Sequence, residues 1–133
     1  MELSKTLKIL GVIAIVFGAL TIFSGGRALF GGDEARAAVG HAVGFVLWFN
    51  FLAGFAYVLT GIGILARKPW AAATALALAL STGGVALAFG LHVINGGAYE
   101  IRTVGALALR LGFWMVAAKI AGPLWAHRRT LQP

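Results

Sequence analysis

Apolar residues run in four long blocks, and polar residues gather in the short gaps between them. The first block spans Leu7 to Phe23, and Lys8 is its one charged residue. The second continues from Ala37 to Ala66 and the third from Trp70 to Ile94, neither with an Asp, Glu, Lys or Arg. The fourth runs from Glu100 to Trp125 and carries Arg102, Arg110 and Lys119. A hydrocarbon core about 30 Å thick needs roughly 20 apolar residues in a helix. The pattern therefore predicts an all-α integral membrane protein, a four-transmembrane-helix bundle forming one domain over residues 1–133. The helices are expected near 5–24, 34–66, 69–94 and 100–126.

Local signals set these bounds. Ser4 suits an N-cap, and Ser24-Gly25-Gly26 reads as a stop. Asp33 and Glu34 suit the positive end of the next helix dipole. That second helix exceeds what a bilayer requires, so its outer end should project or tilt. Pro69 suits a first helical position. Ser81-Thr82-Gly83-Gly84 is a place where the third helix can kink, and Asn95-Gly96-Gly97 ends it. Gly122-Pro123 is expected to break the last turn of the fourth. The first block also has the outline of a signal peptide, but no clean small-x-small cleavage site follows it, so an uncleaved helix is expected.

Composition agrees with this pattern. The 133 residues are 60% hydrophobic and 11% charged, with a mean hydropathy of +0.91. Soluble domains carry about 25% charged residues, so too little charge is present to cover a water-facing surface. There is no cysteine, which excludes disulfides, thiolate metal sites and a cysteine nucleophile. The net charge is +7. The basic residues lie at helix ends, where anionic lipid headgroups are the simpler partner, and nucleic-acid binding is not expected. Lys5, Lys8, Arg67, Lys68, Arg128 and Arg129 all flank one side. Across the bilayer Arg27, Arg36 and Arg102 are offset by Asp33, Glu34 and Glu100. By the positive-inside rule the first side is cytoplasmic, so both termini are expected in the cytoplasm of a multi-pass plasma (inner) membrane protein. Trp70 and Trp125 fit the inner interface.

Ionisable groups inside a span need a physical reason. Arg110 lies about ten residues into the fourth block, roughly 15 Å from Glu100 at about 1.5 Å per residue. That depth is mid-membrane. Lys119 is near the inner end and can snorkel. No carboxylate lies within a span, so unless Glu100, Asp33 or Glu34 folds inward Arg110 turns to Asn50, Ser81, Thr82, backbone carbonyls, water, a lipid phosphate or an anionic ligand. The bland alternative is an arginine that merely locks the bundle. Helical spacing puts Asn50, Gly54, Tyr57 and Gly61 on one face of the second helix, and Thr74, Ser81 and His92 on one face of the third. Thr103 and Arg110 share a face of the fourth, with Arg102 close by. These stripes predict a polar seam among the second, third and fourth helices. Gly40-x-x-x-Gly44 matches a small-residue packing motif.

His41, His92 and Glu100 fall at similar depth near the outer surface, with Arg102 at that level. Imidazoles with a carboxylate suit a divalent metal, and two histidines suit haem b. Interfacial histidines that bind nothing are the ordinary alternative, and no cofactor is required by the sequence. Catalytic motifs are missing: Gly61-Ile62-Gly63 lacks the strand–turn–helix context of a dinucleotide loop, and no span pairs two acids. The function expected is therefore non-enzymatic: an accessory or binding subunit, self-associating or docked on a larger membrane complex. Its seam would hold an anion, a lipid headgroup or a metal. An electron-transfer subunit and a small oligomeric transporter or channel are the alternatives.

Overall fold

A computed structural model describes residues 3–38, 40 and 43–131, the side chains of 126–131 excepted. Among these residues every regular element is a helix: α1 (Leu3–Phe30), α2 (Asp33–Ala38), α3 (Gly44–Leu65), α4 (Trp70–Ile94) and α5 (Ile101–Leu131). α1, α3, α4 and the Ile101–Trp125 part of α5 are long and apolar enough to cross a membrane. Large apolar side chains cover the outside. Leu80, Leu87 and Ile94 of α4 are 68%, 75% and 80% exposed. The interior is built of small and aromatic residues, with Ala71, Ala75, Ala117, Ala121, Tyr57 and Trp114 buried.

α1 and α3 lie against each other almost backbone to backbone. Gly11 and Gly18 of α1 are seven residues apart, as are Gly54 and Gly61 of α3, so each pair stays on one helix face. Gly18 faces Gly54 and Gly11 faces Gly61 in antiparallel register. A Cβ on Gly18 would stand 2.7 Å from the Gly54 carbonyl oxygen, and one on Gly61 would stand 2.8 Å from that of Gly11. Only glycine lets the two helices approach this closely. One further heptad along, Gly25 leaves room for Phe51.

α3 turns into α4 through Arg67, whose φ of 58° gives the left-handed residue that follows many helix C-termini. Its guanidinium donates to the Ser4 carbonyl at 2.9 Å and the Ser4 hydroxyl at 3.1 Å, tying this turn to the start of α1. Thr60 donates to Thr74 at 3.0 Å and joins α3 to α4. α4 and α5 form a second closely packed pair, whereas α1 and α5 touch at few places. At the opposite end of the bundle Arg102 donates to the Ala38 carbonyl at 3.3 Å.

Three helix bounds differ from the sequence expectation. α1 does not stop at Ser24-Gly25-Gly26 but runs to Phe30, because Gly25 is a packing site against Phe51 rather than a terminus. The long second helix is divided into α2 and α3. Gly40 between them has φ +61°, which no right-handed helix admits, and Gly44 opens α3 instead of forming a packing motif with Gly40. Pro123 is accommodated within α5, which continues to Leu131.

Candidate functional site

The α1–α3 lock leaves a wedge between these two helices and α5 at the Glu100 end of the bundle. A cavity of about 310 Å³ fills it. α1 contributes Thr21, Ser24 and Gly25, and α3 contributes Asn50 with Val46, Leu47 and the preceding Val43. α5 supplies Arg102, Thr103, Ala106 and Arg110, and Glu100 stands just before it. Arg110 is nine residues beyond Ile101, about 14 Å at roughly 1.5 Å per residue. Thr21 is nine residues from the α1 terminus at Phe30, so the two meet level across the cavity base.

The guanidinium of Arg110 is half-buried. Nη2 donates to Thr21 Oγ1 at 3.3 Å and Nη1 to the Ala106 carbonyl at 3.4 Å, while Nε is enclosed with no hydrogen-bond partner. Its described partners are thus neutral, and no carboxylate is among them. The guanidinium carbon rests 5.2 Å from the centre of the Phe17 ring, a cation–π distance.

Beneath Arg110, outside the cavity lining, an aromatic floor follows toward the Arg67 end of the bundle. Phe17 packs on Tyr57 and Phe113 with ring centres 5.3 and 5.4 Å apart, and Trp114 lies 4.9 Å from both Tyr57 and Phe113. The Tyr57 hydroxyl sits beside Arg110 and Trp114 without a well-formed hydrogen bond, and Trp114 Nε1 and Asn50 Oδ1 are likewise buried and unpaired. Buried polar atoms without partners are few in folded proteins and each calls for a physical reason. Two of the residues that carry such atoms, Asn50 and Arg110, line the cavity.

The structure thus brings together Asn50, Glu100, Arg102 and Arg110 from the sequence-derived set. Tyr57 lies in the floor and not in the wall. Thr82 is buried on α4 away from the cavity lining, and Ser81 is exposed and donates to the Leu78 carbonyl at 3.3 Å. The polar seam therefore runs among the first, second and fourth long helices, not the second, third and fourth. α1 takes the place expected of α4, because the glycine lock draws α1 onto α3. Thr21, Phe17 and Trp114 were not singled out by sequence. The heptad of Gly11, Gly18 and Gly25 is the signal that would have brought Thr21 to α3.

His41 lies outside the described residues. His92 is half-buried, its Nε2 is 2.9 Å from the Ala98 carbonyl oxygen, and its ring packs edge-on to Phe45 at 6.3 Å. Ligation through that nitrogen would require breaking the Ala98 contact. Among the described residues no three His, Asp or Glu side chains converge as a metal site would need. Glu100 sits at the cavity mouth against Gly40, where any Cβ would collide with its carboxylate. No protein-family model, no curated protein and no solved structure matches this chain.

Proposed function

We propose that this chain is a small non-enzymatic protein of the plasma (inner) membrane that holds an anionic group in the cavity between α1, α3 and α5. It would serve as a binding or accessory subunit, alone, self-associated or within a larger membrane complex. The observation that carries this reading is Arg110: a guanidinium nine residues inside a helix long and apolar enough to cross a membrane, facing a cavity, with only neutral partners described. A charge placed there costs several kcal/mol, and an anion in the cavity offsets that cost. The lining supports the same sign, with two arginines against one glutamate.

The buried aromatic side chains of Tyr57 and Trp114, packed between Arg110 and the Arg67 end, support binding over passage. The flanking charges support an inward Lys5–Lys8 and Arg67–Lys68 side and an outward cavity mouth.

The test is thermal unfolding of the detergent-purified protein, followed by tryptophan fluorescence, in a panel of sodium salts at matched ionic strength. At least one anion should raise the melting temperature of the wild type and leave Arg110→Gln unmoved. If wild type and variant respond alike to every anion, the arginine holds the bundle together and the cavity is not an anion site.

A further inference from the structure

The cavity's donors and its shape select among anions. Arg110 has five N–H donors, and two are engaged, by Ala106 and Thr21. Three remain. The Thr103 hydroxyl and the Asn50 amide add donors from the α5 and α3 walls, and Thr21, which accepts from Arg110, retains its own hydrogen. A halide meets such a set as a single sphere. A carboxylate presents two oxygens, both taken by one guanidinium fork. A phosphate keeps further oxygens for donors on the other walls, and guanidinium geometry matches it as well.

The volume gives a second constraint. About 310 Å³ falls at the lower end of the roughly 300–1,000 Å³ typical of organic-ligand pockets. Val43, Val46, Leu47 and Ala106 form apolar wall above the polar base. An inorganic ion would leave that wall against water, whereas an organic substituent covers it. Resting on the reading of this cavity as an anion site, we propose that its ligand is a phosphate ester, the phosphate on Arg110 and the organic part against Val43, Val46 and Ala106.

Such an ester has two sources: a soluble phosphate ester entering from the outer side, or a phospholipid headgroup entering through the sparsely packed α1–α5 seam. The experiment uses the full-length protein in a neutral detergent, freed of phospholipid. Melting is followed with glycerol 3-phosphate, with dihexanoylphosphatidylglycerol, and with acetate and chloride at matched ionic strength. One or both phosphate probes should stabilise the protein at concentrations at least about tenfold below acetate or chloride. Response to glycerol 3-phosphate marks the soluble source, and response to the phospholipid alone marks the lipid source. Arg110→Gln should weaken the effective probe by about 10- to 100-fold. Should that variant fail to fold, Thr103→Val, which keeps the side-chain volume, still tests the site and should weaken the phosphate probe more than acetate. Equal stabilisation by acetate or chloride overturns the phosphate-ester proposal and leaves the anion cavity standing. Indifference to every anion overturns both.

Discussion

Replacing Gly18 by alanine adds one carbon at a tight point of the α1–α3 contact. That carbon would lie 2.7 Å from the Gly54 carbonyl oxygen, 2.7 Å from Val58 Cγ2 and 2.9 Å from Tyr57 Cβ. Ordinary carbon contacts lie at about 3.5–4.0 Å, so about 0.6–0.8 Å or more must be found in three directions. One of the neighbours is backbone and cannot rotate away. Overpacking of this kind costs about 1–3 kcal/mol, and we expect about 2 kcal/mol, a factor of roughly 30 in the folded-to-unfolded ratio. The control is Gly112→Ala, where an added Cβ meets nothing within 4 Å. There the higher helix propensity of alanine leaves stability unchanged or up to about 1 kcal/mol higher. Both variants are unfolded in mixed micelles of a mild detergent and increasing dodecyl sulfate, followed by far-ultraviolet circular dichroism. The same shift of midpoint for both would refute the backbone-to-backbone packing. A secondary consequence is also expected. Thr21 is three residues from Gly18, so forcing α1 off α3 displaces the Thr21–Arg110 bond and lowers anion-dependent stabilisation as well.

Because the chain has no cysteine, single cysteines report topology cleanly: a membrane-impermeant maleimide should label Asp33→Cys in intact cells and leave Lys68→Cys unlabelled, and the reverse pattern would invert the proposed orientation. Trp114→Ala removes a fully buried ring from the aromatic floor and should cost about 3–5 kcal/mol in the same unfolding assay. Thr60→Val deletes the hydroxyl bonded to Thr74 while preserving volume; interhelical hydrogen bonds in membranes average about 0.6 kcal/mol, and a loss beyond about 2 kcal/mol would mean that Thr60 does more than join α3 to α4. Gly40→Ala places a side chain at positive φ and against Glu100, so it should destabilise by at least about 1 kcal/mol.

The parts of this fold that a sequence exposes are those set by one-dimensional quantities. Run length gives the four long helices, and charge content gives their apolar outer faces. Helix ends were less legible where glycine was concerned. Gly25-Gly26 resembles a terminus in sequence, yet Gly25 packs within α1, and Gly40 resembles a packing residue, yet it breaks a helix. Glycine serves both purposes, and only the neighbour, Phe51 in one case and Glu100 in the other, separates them. The candidate site was half legible. Arg110 stands out because a charge in an apolar run is costly, and Asn50, Glu100 and Arg102 follow from depth and helical face. Which third helix completes the wall was not readable from polarity, because Ser81 and Thr82 look as suitable as Thr21. The choice is made by glycine spacing on α1 and α3, a steric property with no polar signature.

The glycine lock also decides where this molecule is stiff and where it is compliant. α1 and α3 are held largely by main chain against main chain at Gly11, Gly18, Gly54 and Gly61, with little side chain between them to adjust. Two walls of the cavity therefore behave as one body. The third wall, α5, meets α1 only at few places, among them Thr21–Arg110 and Phe17–Phe113, and those contacts are made by side chains with torsional freedom. Any breathing of the bundle is thus channelled into the α1–α5 seam, and the helix that moves is the one carrying both arginines.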